Sequence, residues 1–268
     1  MEKIGLIAGN RKFPFLFSEA AKKKGYFVVA VAIKKDTSPK LKRFVDKIHW
    51  LGIGEFSRMF EIFKSEGITK IVMAGQISPD KLFSREIEQD PELKKLINSI
   101  KDKKADTIFG AIADKLTESG FELMNSVAFI EEHLPKKGTL TVKYEPDFST
   151  WEDIYFGYDL AKAVAYLDIG QTVVVKNKVI MAVEAFEGTD NLIRRSGFIS
   201  RGGVTIVKVS KPKQDMRFDI PVVGLNTIKN LVRAKAKCLA IEAGKVLFID
   251  KEKAVSLADK NHISIVAI

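Results

Sequence analysis

Short apolar runs alternate with amphipathic stretches from the first residues of the chain onward, and that alternation sets the expected fold. Ile4–Ala8, Phe27–Ile33, Lys47–Leu51 and Lys70–Ala74 are brief runs rich in Val, Ile and Leu, the pattern of strands buried in a sheet. Between the first two, Gly9-Asn10-Arg11-Lys12 forms a turn into a helix that opens at Pro14 and closes at Gly25. Proline loses no useful donor at a first helical position, and glycine ends a helix readily. Gly52-Ile53-Gly54 leads into a helix over 55–66 that Gly67 stops. Strands alternating with such helices predict βαβ units and a mostly parallel sheet.

The pattern then changes. Pro79 to Ser119 reads as helical; Asp106 opens its last helix, as an N-cap or a functional carboxylate, and Ile108, Ile112 and Leu116 recur at helical spacing before Gly120. A short strand at Glu122–Met124 and a brief helix lead to Leu134. The charged, breaker-rich run Pro135-Lys136-Lys137-Gly138 predicts a boundary, giving domains over 1–134 and 135–268. Beyond it come an amphipathic helix over Trp151–Tyr166 and a hairpin, Thr172–Lys176 and Val179–Ala185, turned at Asn177-Lys178. A helix carrying Arg194 and Arg195, a strand from Thr205, a helix over 225–236, strands at 238–242 and 246–249, and a last helix and strand complete the chain. Hairpins among these strands predict a mixed α/β domain unlike the first.

One stretch breaks its own pattern. Thr205–Pro221, TIVKVSKPKQDMRFDIP, begins as an alternating strand and turns abruptly polar, with Asp215 and Asp219 four apart and Arg217 between them. Two carboxylates that close repel unless a cation lies between them, so either the arginine or a metal is implied.

Composition narrows the class. With 46% apolar and 29% charged residues, 268 residues make a soluble globular chain of one large or two ordinary domains. A single cysteine, Cys238, rules out an internal disulfide framework and suits a reducing cytoplasm. The N-terminus predicts no signal peptide and no window predicts a membrane span. A formal charge of +10 favours anionic partners, although much of it lies in solvated lysine runs such as Lys22–Lys24 and Lys101–Lys104.

The chemistry follows partly by exclusion. His49, His133 and His262 share no metal-ligand spacing, no G-x-S-x-G elbow occurs, and Cys238 sits within a strand. The first loop lacks G-x-G-x-x-G, arguing against a nicotinamide or flavin cofactor, and no Walker A sequence follows. Loops at the carboxyl ends of parallel strands are where ligands bind, which singles out Gly9, Asn10 and Gln76. Glu184, Glu187, Asp190, Asp215 and Asp219 occur with Arg194, Arg195, Lys211 and Arg217. Carboxylates with waters hold Mg²⁺, while Arg and Lys neutralise phosphate oxygens, so this set favours phosphoryl chemistry.

GLIAG at 5–9 with Pro14, DIGQTVVV at 168–175, AVEAFEGTD at 182–190 and KPKQDMRFDIPVVG at 211–224 resemble the LpxI-type UDP-2,3-diacylglucosamine pyrophosphatases of lipid A biosynthesis. IEAG at 241–244 and LAD at 257–259 extend the resemblance over nearly the whole chain. It implies a Rossmann-like N-terminal domain, a distinctive C-terminal domain, and Mg²⁺-dependent hydrolysis of an acylated UDP-sugar to UMP and 2,3-diacylglucosamine 1-phosphate. An aspartate of Q-D-x-R-x-D-x-P is implicated in catalysis, here Asp215 or Asp219; Asp219 is favoured because Pro221 stiffens its setting, and Arg217 joins them. Glu187 and Asp190 are further metal candidates beside Asp215 and Asp219. Substrate contacts fall to Gly9, Asn10, Gln76, Gln171, Gly188, Thr189, Arg194, Lys211 and Gln214. Where family members often carry a further glycine in the first loop, this chain has Arg11-Lys12. The helix bearing Trp151, Ile154, Tyr155, Phe156 and Tyr158 is a candidate lining for the acyl chains, and the basic surface suits an anionic inner-membrane face. The resemblance admits a homodimer and calls for no nucleic acid. Two other classes stand against it: a nucleotide or RNA-binding module without catalysis, and a nicotinamide-linked oxidoreductase.

Overall fold

A computed structural model describes residues 1–78, 84–102 and 104–268. The chain divides into two compact units, Met1–Glu131 with Asp215–Asp219, and Glu132–Gln214 with Ile220–Ile268.

In the first unit β1 (Lys3–Ala8), β2 (Phe27–Ile33), β3 (Lys47–Leu51), β4 (Lys70–Ala74) and β5 (Glu122–Leu123) form a sheet in the order β3-β2-β1-β4-β5. Among the described residues every pairing in it is parallel, as the strand–helix alternation predicts. The order reverses direction at β1/β4, the kind of crevice in which doubly wound sheets bind ligands. Helix α1 (Phe13–Lys23) follows β1, and α2 (Phe56–Ser65) packs Phe56, Met59 and Phe63 against Ile7, Val29, Val31, Ile71 and Met73 of the sheet. Gly5 permits that approach: a Cβ there would stand 2.9 Å from both Phe63 and Ile68.

The expected helical span from Pro79 begins in residues 79–83, which lie outside the described residues, as does Lys103. It continues as a 3-10 turn over Arg85–Gln89, α3 (Pro91–Ser99) and α4 (Ala105–Glu118). Asp106 falls within the first turn of α4, and Lys104 is the N-cap. A carboxylate there still meets the positive end of the helix.

The second unit is built on a mixed sheet ordered β6-β13-β11-β9-β7-β8, with a two-stranded parallel sheet of β10 (Val222–Gly224) and β12 (Leu247–Ile249) beside it. β7 (Thr172–Lys176), β8 (Val179–Val183) and β9 (Thr205–Lys208) pair antiparallel, whereas β9, β11 (Cys238–Ile241) and β13 (Ser264–Ala267) are parallel; β6 (Gly138–Thr139) adds an antiparallel edge. Successive side chains go to opposite faces. Val173, Val175, Val207, Cys238 and Ala240 meet α5 (Phe148–Tyr166) through Ile154, Ala161 and Ala165. Val174, Ile206, Leu239 and Ile265 meet α6 (Thr189–Ser200), α7 (Leu225–Arg233) and α8 (Lys251–Lys260) through Leu192, Ile228, Leu231 and Ala254.

One helix start was not evident from periodicity, and the expected hairpin turn is held by a buried acid. Helix α5 begins before Trp151 because Asp147 caps it, accepting from the Thr150 amide at 2.7 Å. The Asn177-Lys178 turn takes positive φ at both residues (53° and 58°), the geometry of a tight hairpin turn. Asp153, 1% exposed, holds it by accepting from Lys178 N at 2.7 Å and Asn177 N at 3.2 Å.

Candidate functional site

At the carboxyl end of the first sheet, Gly9 N donates to Ala74 O (2.9 Å) and Asn10 N to Gln76 O (2.7 Å), carrying the β1–β4 ladder into the loops. A Cβ on Gly9 would lie 2.5 Å from Gln76 O, so this close approach requires glycine. Arg11 has φ 65°, a left-handed conformation that glycine adopts at no steric cost. Asn10 Nδ2 donates to Asp36 Oδ1 and Ser78 Oγ, both at 3.0 Å, while Ser78 donates its amide (3.1 Å) and hydroxyl (2.5 Å) to Asp36. Asp36 thereby ties together the loops after β1, β2 and β4. The sequence reading missed it; its signal was an acid just beyond the second strand of a βαβ unit, where doubly wound folds place a ribose acceptor. Asn10 Oδ1 is buried without a protein partner. Alongside, Lys34, Lys35, Asp36, Thr37, Ser38, Pro39 and Trp50 line an open cavity of 640 Å³.

Asp215–Asp219 also belongs to this unit. Arg217 grips Asp215 as a fork: Nη2 to Oδ2 at 2.7 Å, Nε to Oδ1 at 3.0 Å, and the backbone amide to Oδ1 at 3.0 Å. The Arg217 hydrogen bonds hold the Asp215 carboxyl below the usual carboxylate range against the opposing effect of burial, and Asp215 in turn raises Arg217. The cation implied beside Asp215 is therefore met by arginine. Asp219 N donates to Asp215 O at 3.0 Å, closing the segment into a turn. Phe218 packs against the α2–α4 core with its ring 6.4 Å from that of Phe109.

The remaining candidates lie in the second unit. Lys211 pairs with Asp168 at 2.8 Å, and Gln214 Oε1 accepts from Lys211 N (2.8 Å) and Gln171 Nε2 (3.2 Å). Gly188, at φ 78°, is the N-cap of α6. Behind it a buried chain runs from Lys208 Nζ to Thr189 Oγ1 (2.6 Å) and from Thr189 Oγ1 to Glu184 Oε1 (2.7 Å). Burial opposes charge on Glu184, but Lys208 and the hydrogen bonds from Thr189 and Gln171 N outweigh it and lower its pKa. Glu187 pairs with Arg195 at 2.5 Å; Asp190 Oδ2 accepts from Asn226 Nδ2 at 2.7 Å; Arg194 bonds Asn191 and the Asp190 carbonyl. Each of these acids thus has a partner of its own, and no group of three or more His, Cys, Asp or Glu that could hold a metal occurs among the described residues. Lys208, buried, and Glu242, partly buried, are charges here that the sequence reading did not select. Glu242 accepts from Ser210 N (2.7 Å) and Lys162 (3.0 Å), fixing the start of the polar loop.

Burial pushes the Cys238 thiol up to about 12, so it stays protonated in β11. Of the aromatic-rich positions on α5, Ile154 is fully buried in the core and Trp151 and Tyr158 pack on it, while Tyr155 is 63% exposed. Among the described residues no helix is long and apolar enough to cross a membrane.

Residues 3–133 match the family model of the LpxI N-terminal domain, and residues 136–266 match that of the LpxI C-terminal domain. The chain belongs to the LpxI family. A curated relative, the UDP-2,3-diacylglucosamine pyrophosphatase LpxI of Caulobacter vibrioides, is 32% identical over 270 residues, covering 97% of this chain and 95% of that protein. Solved structures resemble it only loosely. N5-carboxyaminoimidazole ribonucleotide synthetase from Thermotoga maritima aligns with 71% of this chain and 43% of its own at 18% identity and a TM-score of 0.27. The biotin carboxylase domain of a single-chain bacterial carboxylase aligns with 64% and 35% at 13% identity and a TM-score of 0.26. At such scores neither likeness bears on the LpxI assignment.

Proposed function

We propose that this LpxI-family chain is a UDP-2,3-diacylglucosamine pyrophosphatase, a hydrolase that splits the diphosphate of its substrate into UMP and 2,3-diacylglucosamine 1-phosphate. The observation that carries the reading is 32% identity to a protein of that name along 97% of the chain, with both LpxI domains matched.

A diphosphate ester resists water because its anionic oxygens repel the nucleophile. In the proposed reaction Arg217, held in plane by Asp215, neutralises phosphate oxygens, and Asp219 orients a water and takes its proton. The water oxygen bonds to phosphorus, the bridging P–O bond breaks, and the bridging oxygen leaves on the other phosphate. Lys211, Gln171, Gln214, Gly188, Thr189, Arg194, Gly9, Asn10 and Gln76 are proposed to hold the substrate. Mg²⁺ would further neutralise the diphosphate. It typically binds one or two carboxylates together with substrate phosphates and water, and Asp219, Asp190, Glu187 and Asp215 are donors of that kind. Asp215 is committed to Arg217, which leaves Asp219, Asp190 and Glu187 as the carboxylates proposed for the ion.

The test is UMP release from the acylated UDP-sugar with and without EDTA. Release abolished by EDTA and restored by Mg²⁺ is expected; undiminished release in EDTA would remove the metal, and no release at all would remove the function. UDP-GlcNAc, lacking acyl chains, should be turned over poorly. The net charge of +10 supports loading from an anionic membrane face. Sedimentation with phosphatidylglycerol vesicles, absent with phosphatidylcholine, is the expected result.

A further inference from the structure

Ser126, 1% exposed, lies where β4 ends and the Asp215–Asp219 segment seats. Its amide donates to Met216 O at 2.8 Å, and its Oγ stands 2.6 Å from both Arg217 O and Met73 O. A hydroxyl has one proton, so these two carbonyls share it. The contacts grip the two residues between Asp215 and Phe218 by their backbone carbonyls. On the other flank Phe218 enters the core beside Phe109. The Arg217 side chain can form its fork with Asp215 only if the backbone of 215–217 keeps its tight turn, and Ser126 is the buried side chain that holds this backbone to the strand end. Negative charge on Asp114 of α4 acts on Arg217 as well, so a shift of the segment moves the guanidinium relative to two carboxylates.

We infer that Ser126 is a positioning residue for Arg217: it fixes the polypeptide on which the Asp215–Arg217 fork is built. The kinetic part of the test rests on the function proposed above; the spectroscopic part does not. For the acylated UDP-sugar, Ser126→Ala should lower kcat by roughly tenfold and leave KM within about twofold, because a misplaced charge is felt mainly in the transition state. In an Arg217→Ala background the same change should cost less than about twofold, since residues that act through one another are not additive. An equal loss in both backgrounds, or full activity in Ser126→Ala, overturns the proposal. Ser126→Cys, close in size and only a weak donor, gives the same comparison should the alanine variant fail to fold. Without substrate, the Arg217 Nε–H resonance, identified by its loss in Arg217→Lys, should exchange with solvent at least about tenfold faster in either Ser126 variant. An unchanged rate overturns the proposal. If the wild-type protein releases no UMP, the functional reading falls and this exchange measurement still decides the role of Ser126.

Discussion

A carboxylate whose charged form is already stabilised is a weak base, and the Arg217 fork does this to Asp215. The two aspartates of the segment therefore take different roles in our proposal. Asp219→Ala should lower UMP release by about 10³-fold, the scale of a lost general base, with the melting temperature little changed. Asp215→Asn should cost about 10- to 100-fold by loosening Arg217. Equal losses in the two variants would contradict this division of roles. Glu184 is also held charged, but it is buried with Lys208. Glu184→Gln would leave an uncompensated buried ammonium and should destabilise the chain by roughly 3–5 kcal/mol, read as a shift in the urea midpoint at neutral pH. The Glu184 and Lys208 burial that makes this so was invisible in the sequence: both look like ordinary strand-end charges until β7, β9 and α6 close over them.

Among the elements, α5 shows how tightly a helix can be set on a sheet. A Cβ on Gly157 would lie 2.8 Å from Cγ2 of both Val175 and Val207. Gly157→Ala gains about 1 kcal/mol in helix propensity, but overpacking of this kind costs about 1–3 kcal/mol. A net loss of stability is expected, measured by denaturant titration; a more stable protein would mean that the helix lifts off the sheet without penalty. The strand–helix alternation made β1–β4, α1 and α2 legible within a residue or two, as period and breaker residues act locally. It did not show β6 or β10, which exist only through their pairing with β13 and β12. Nor did it show the start of α5, which an Asp147 cap rather than an apolar position decides.

For the whole molecule, acid lability follows from the carboxylates. Asp147 and Glu55 are held at about 2, by hydrogen bonds from Thr150 and from Gly52 N respectively, and Asp215 and Glu184 are also lowered. Each lowered group contributes stability that is fully present above its unfolded pKa of about 4 and is lost as pH falls through its folded value. The melting temperature should therefore drop between about pH 4.5 and pH 2, and calorimetry across that range checks it. Glu184→Gln should flatten part of this dependence, because its proton uptake is then gone. The candidate site was legible at the same scale only in part. The sequence named Asp215, Arg217 and Asp219, yet nothing local said that these residues count with the first unit while both flanks count with the second.

The sequence by itself determined the class of fold, the hairpin turn at Asn177-Lys178, the burial of Cys238 and the LpxI family. Each of these depends on short-range periodicity, on backbone preferences of single residues, or on motifs contiguous in the chain. Tertiary structure alone decided the partners: which cation sits on Asp215, that Asp36 ties three loops together, that Glu184 and Lys208 share a buried chain of hydrogen bonds, and that Ser126 meets a segment more than 80 residues away. A charge or hydroxyl carries no mark of its partner in the linear chain. Which groups pair is settled only when packing removes water and leaves each buried polar atom to find what lies within hydrogen-bonding distance.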